Sequence, residues 1–99
     1  KTMKVGAAVT TCRRGGNTAS YDVLNKYFSI SSMPITTSQY WNMVYGNTPE
    51  EVRQDAEGMQ TMRQLARNMA WMLNSLKIAA DAGLPLPEQE KRISTNYIR

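Results

Sequence analysis

The chain has no histidine and a single cysteine, Cys12. Without an imidazole there is no His-based general acid or base, and no Ser-His or Cys-His nucleophile. One cysteine rules out an internal disulfide framework and fits a reducing compartment. The two shortages together argue against a zinc or iron–sulfur site, so no metal and no catalytic side chain is expected. No apolar run approaches the ~20 residues of a membrane span. The opening Lys1-Thr2-Met3-Lys4 leads into a strand-like run with no small-residue cleavage signal, so the cytoplasm is the expected location. Blocks of one charge are missing as well. The net charge is +4, but acids such as Asp22, Glu50, Glu51, Asp55 and Glu57 lie among the arginines and lysines. That pattern suits a mildly basic, solvated surface better than a nucleic-acid interface.

The 99 residues present, 41% of them hydrophobic, allow one small domain. Residues 4–11 form a short, apolar, β-branched run that predicts a buried strand. It ends in Cys12-Arg13-Arg14-Gly15-Gly16-Asn17. Asn17 or Thr18 is the expected cap of a helix reaching about Phe28. The apolar positions of that helix are Ala19, Val23 and Tyr27 on one row, and Leu24 and Phe28 on the next. Ser29 to Ser32 break it, and residues 33–40 read as a second strand with Pro34 near its start. Strand, helix and strand in this order imply parallel pairing with a right-handed crossover.

Residues 41–47 read as a loop of aromatic and amide side chains. Thr48, Pro49 and Glu51 then make a strong helix start, with cap, first-turn proline and capping-box acid. The helical pattern runs to about Ala82, with Gly83 as C-cap. A helix of about 34 residues would span ~50 Å, so a bend at Gly58 or a partner along its length is expected. Met59, Met62, Ala66, Met69, Leu73, Leu76 and Ala80 alternate in spacing like a heptad seam, and Leu65, Trp71 and Met72 widen it. A helix apolar on two sides is buried on two sides, so a homo-oligomer built on residues 59–80 is expected. The tail from Leu84-Pro85-Leu86-Pro87 is expected to be extended, and its end, Asn96 to Arg99, to dock. Two strands and two helices are too few to cover a parallel sheet on both faces.

The run from Val5 to Asn17, the Tyr40-Trp41-Asn42 loop and Glu50-Glu51-Val52-Arg53-Gln54-Asp55 together resemble the NAD(P)H-dependent FMN reductases of the flavodoxin-like superfamily. The resemblance covers nearly the whole chain, but only the second half of such a protein. Residues 1–99 then correspond to the C-terminal half of one flavodoxin-like domain, the βαβα portion of a doubly wound parallel sheet. The first strand and the phosphate loop of the family have no counterpart in this chain. The resemblance implies FMN as cofactor, NAD(P)H as hydride donor and a small-molecule electron acceptor such as a quinone, azo compound, metal ion or free flavin.

It also implies that the cofactor-binding residues are Cys12, Arg13, Arg14, Gly15, Gly16 and Asn17, placed against the isoalloxazine ring. Each has a plainer reading. Gly15 and Gly16 also suit an ordinary tight turn, and Arg13 and Arg14 an ordinary solvated surface. Asn17 is more readily a helix cap than a ligand contact. Cys12 reads as a small buried hydrophobe more readily than as a redox thiol. Tyr40 and Trp41 are candidate substrate contacts, and equally candidate covers for a sheet edge. The functional expectation is an FMN-dependent oxidoreductase, inactive as these 99 residues alone. The alternatives are a helical assembly module and a small basic nucleic-acid binder using Arg13, Arg14, Arg63 and Arg67.

Overall fold

A computed structural model describes residues 2–98. Its elements are β1 (Thr10–Cys12), α1 (Asn17–Ile30), β2 (Met43–Tyr45), α2 (Pro49–Gln54) and α3 (Ala56–Asp81). The chain is α/β, with a two-stranded parallel sheet and three helices. In register, Thr10 pairs with Met43, Thr11 with Val44 and Cys12 with Tyr45.

The expected strand at 33–40 is corrected. Only one bridge forms there, Gly6 to Ile35, flanked by Gly6 N–H to Pro34 O at 2.9 Å and Thr36 N–H to Gly6 O at 2.8 Å. The second strand lies instead inside the segment expected as a loop, at Met43–Tyr45. From Gly6 to Thr10 the first run takes four steps, whereas its partner takes eight from Ile35 to Met43. Residues between these points bulge out of the sheet, and the aromatic pair Tyr40–Trp41 sits on the bulge. The first strand is likewise shorter than residues 4–11, being regular only at Thr10–Cys12.

Helices occupy both faces of this small sheet. Residues 6 and 10 face α1: a Cβ on Gly6 would stand 2.6 Å from Phe28 Cδ1, and Thr10 Oγ1 donates to Asn17 O at 3.3 Å. Val44 faces the other way, against Gly58 at the start of α3. The cover is thin. Ala8, Tyr21, Met43, Val44 and Leu65 are the buried hydrophobic residues, accompanied by buried Thr36, Asn42 and Thr61. The row Ala19, Val23, Tyr27 does not face the sheet; Val23 and Tyr27 are exposed, and α1 buries Asn17 and Tyr21 instead.

The single long helix is corrected to two. Thr48 and Pro49 start α2 as expected, with Glu51 N–H donating to Thr48 Oγ1 at 3.3 Å. The carboxylate of Glu51 accepts from Asn47 N–H at 2.6 Å, one residue before the expected partner. The break comes at Asp55, not Gly58: Asp55 leaves helical geometry (ψ 85°) and caps α3 through Gly58 N–H, 2.9 Å from Oδ1. At the far end Gly83 adopts φ +85°, donating to Ala80 O while Leu84 N–H donates to Ala79 O, which closes the helix as expected. Beyond it the tail is extended and exposed. Tyr97 and Ile98 do not dock on the chain, and Arg99 lies outside the described residues.

On α3, Leu65 is buried and Met59, Met62, Met69 and Met72 are half-buried, whereas Trp71, Leu73 and Leu76 are exposed. One apolar side therefore meets the sheet and the other meets solvent. No described helix is long and apolar enough to cross a membrane.

Candidate functional site

Parallel strands point their carboxyl ends the same way, and the loops leaving that edge are where α/β sheets hold ligands. Here those loops are 13–16 after β1 and 46–48 after β2. They are tied together: Gly46 N–H donates to Cys12 O at 3.1 Å. The sequence points to the first loop. It hides the second, because the three residues Met43–Tyr45 are too short a run to stand out as a strand. Gly46 followed by the Thr48-Pro49 helix start is the signal that marks a strand-to-helix turn there.

The 13–16 loop is open. Arg13, Arg14, Gly15 and Gly16 are exposed, and Cys12 is half-buried. A Cβ on Gly15 or Gly16 would meet nothing within 4 Å. Gly16 has φ +93°, a conformation that favours glycine. Gly16, not Asn17 or Thr18, is the N-cap of α1, and no side chain caps that end. The backbone N–H groups of Arg13, Arg14, Gly15, Gly16, Asn17 and Thr18 have no acceptor among the described residues. Free N–H groups at a helix start, with its positive dipole end, favour an anion or a carbonyl-rich ligand. Neither arginine is in an ion pair among the described residues.

Asn17 is the first residue of α1, and its side chain faces inward. It is 4% exposed, and Nδ2 donates to Met43 Sδ at 3.2 Å. Its amide fastens α1 to β2 and does not reach the open side of the loop. The Asn17 side chain is thus engaged within the fold, while its N–H stays among the donors that have no acceptor among the described residues.

Tyr40 and Trp41 are not brought to this loop. Their rings pack on each other at 5.2 Å between centroids, half-exposed. Tyr40 lines a small depression of about 40 Å³ with Tyr45, Asp55, Gly58 and Thr61, beside the outer edge of β2. That edge is closed by the chain itself: Tyr45 N–H donates to Asp55 Oδ2 and Met43 N–H to Trp41 O. Nearby Asn42 is fully buried. Ser38 Oγ lies 2.7 Å from Asn42 Oδ1 and 2.6 Å from Tyr40 O, and its one proton serves one of them at a time. Asn42 Nδ2 has no partner among the described residues.

A groove of about 450 Å³ runs beside the second loop, lined by Thr11, Gly46, Asn47, Thr48, Pro49, Val52, Arg53 and Met59. Its polar groups are largely engaged in the cap of α2. A groove of about 990 Å³, lined by Met3, Leu76, Ala79, Leu84 and Leu86 among others, lies by the end of α3. Met3 places it by the start of the first run, whereas ligands of parallel sheets bind at the carboxyl end. Among the described residues no cluster of histidine, cysteine or acidic side chains is arranged to hold a metal ion.

No protein-family model matches the chain, and neither a curated protein nor a solved structure does.

Proposed function

We propose that this chain is the C-terminal half of a flavodoxin-like, FMN-binding, NAD(P)H-dependent oxidoreductase, and that the 13–16 loop lies against the isoalloxazine ring. One observation carries the reading. At the carboxyl edge of two parallel strands, two glycines with open space in front of them sit in a row of N–H groups that have no acceptor among the described residues.

The residues fit such a group. A flat ring needs close backbone approach, and Gly15 and Gly16 place no side chain in the way. Ring carbonyls and nitrogens are acceptors, and this loop offers a row of N–H donors that have no acceptor among the described residues. Arg13 and Arg14 are exposed beside it, where a positive charge favours the reduced, anionic form of the ring. FMN supplies the hydride chemistry when bound, taking hydride from NAD(P)H and passing electrons to a small-molecule acceptor, so no histidine is required of the chain. The residues that hold the phosphate belong to polypeptide beyond these 99 residues. Tyr40 and Trp41 drop from the substrate contacts in this reading, because they sit on the bulge beside β2 rather than at the loop.

FMN titration of the protein extended by its phosphate-holding half tests the reading. Binding is expected, and Gly15→Val is expected to weaken it strongly. Gly15 is the better probe than Gly16, whose positive φ would strain any replacement regardless of ligand. Absence of FMN binding would overturn the function. Binding that Gly15→Val leaves unchanged would move the ring elsewhere.

A further inference from the structure

The groove of about 450 Å³ at the carboxyl end of the sheet combines an apolar lining, Pro49, Val52 and Met59, with a polar one, Thr11, Asn47 and Arg53. Its size falls within the ~300–1,000 Å³ of small-molecule sites. Val52 and Met59 are half-buried, and the polar lining residues are exposed. The groove adjoins the 13–16 loop. Thr11 precedes Cys12, and Gly46 is bonded to Cys12 O.

The cap of α2 uses Thr48 Oγ1 and Asn47 N–H. It leaves the Thr11 hydroxyl and the Asn47 side-chain amide without a partner among the described residues. Arg53 Nη1 stands 3.7 Å from Glu50 Oε1, beyond hydrogen-bond distance, and both side chains are exposed. Such a pair holds a guanidinium only weakly. The flat fork of guanidinium donors matches a carboxylate or sulfonate. Arg13 and Arg14 on the neighbouring loop add positive charge, while the Glu51 carboxylate is turned to Asn47 N–H at 2.6 Å. Between these groups, proline, valine and a methionine thioether offer surfaces on which a flat ring can lie, methionine sulfur being a favourable aromatic contact.

We infer that this groove holds the electron acceptor, and that the acceptor is a planar aromatic compound carrying a carboxylate or sulfonate, such as an acidic quinone. The inference rests on the flavin reading and narrows its acceptor to one chemical class. The ring lies against Pro49, Val52 and Met59, the acid group meets Arg53, and Thr11 and Asn47 bond the ring oxygens. Reducing a quinone takes two electrons and two protons. Hydride from NAD(P)H brings both electrons and one proton, solvent brings the other, and the products are the hydroquinone and NAD(P)+. The groove is compatible with a larger domain. Asp55 and Trp41 close the outer edge of β2, so further strands join at the first run, on the side of β1 opposite β2.

The test uses the FMN-loaded protein, extended by its phosphate-holding half, and two acceptors that share one ring system, naphthoquinone and naphthoquinone sulfonate. Arg53→Ala is expected to lower kcat/KM for the sulfonate relative to the neutral quinone about tenfold, as loss of a charge-assisted contact does. The change should lie mostly in KM, and Arg53→Lys should recover part of it. A second readout needs no turnover. Naphthalene sulfonate, which has no carbonyl to reduce, should shift the NMR amide signals of Thr11, Asn47, Val52 and Arg53. An unchanged acceptor preference in Arg53→Ala overturns the inference and leaves the flavin reading standing. So do shifts confined to other residues, such as Leu84 and Leu86. Absence of bound FMN in the extended protein overturns both.

Discussion

Asp55 and Tyr45 close the outer edge of the sheet and start the long helix in one stroke. Asp55 Oδ2 accepts Tyr45 N–H at 2.8 Å while Oδ1 accepts Gly58 N–H at 2.9 Å. One carboxylate thus serves a strand donor that has no neighbouring strand and a helix donor that has no preceding turn.

Asp55→Ala removes both bonds and is expected to destabilise the chain by about 2–3 kcal/mol. The cap accounts for ~1 of these and the charge-assisted strand bond for ~1.5 or more. Urea unfolding measures the loss. Asp55→Asn keeps an acceptor and should recover part of it. Equal losses for the two variants would show that the acceptor kept by asparagine contributes nothing.

Gly58→Ala sets two effects against each other. Alanine is the better helix former by about 1 kcal/mol. The added methyl would stand 2.8 Å from Val44 Cγ1 and crowd the Asp55 carboxylate. Overpacking of this kind costs ~1–3 kcal/mol, so a net destabilisation of about 1 kcal/mol is expected. Combining it with Val44→Ala should relieve part of the cost, a coupling that a double-mutant cycle reads directly.

Gly6→Ala tests how α1 seats on the sheet. Its methyl would lie 2.6 Å from Phe28 Cδ1, so the ring must turn or the helix must lift. A loss of ~1–3 kcal/mol is expected by thermal or urea unfolding. In a Phe28→Leu background, where the ring is gone, Gly6→Ala should cost clearly less. An equal cost in both backgrounds would mean that Phe28 is not the obstacle.

Arg14→Ala addresses the candidate site. The side chain is exposed and in no ion pair among the described residues, so unfolding stability should stay within ~0.5 kcal/mol. In the FMN-loaded, extended protein the variant should be harder to reduce, seen as a more negative potential in a redox titration. An unchanged potential for Arg14→Ala and Arg13→Ala alike would remove both from the ring's surroundings.

Features that depend on neighbours in sequence are readable from residues alone. Thr48, Pro49 and Glu51 announce α2, because capping is settled within one turn. Gly83 announces the end of α3, because a left-handed residue closes the last carbonyls locally. The parallel sense follows from one helix joining two extended runs. The open Gly15-Gly16 turn is visible as well, since glycine pairs after an apolar run have few other uses.

The rest is set by contacts between distant residues. The run 33–40, with β-branched Ile35, Thr36 and Thr37, is longer than Met-Val-Tyr at 43–45, yet the shorter run forms the ladder. Register against Thr10–Cys12 selects it, and the bulge absorbs the residues between. Asp55 looks like any exposed helical acid until Tyr45 N–H, ten residues earlier, needs an acceptor. Asn17 carries the marks of a cap, but Met43 Sδ and the packing of α1 on the sheet turn it inward and leave Gly16 at the helix start. Local propensity is a fraction of a kcal/mol per residue. A buried donor without a partner costs ~1–3 kcal/mol. At each of these positions the deciding partner lies distant in sequence, and only the folded chain brings it within reach.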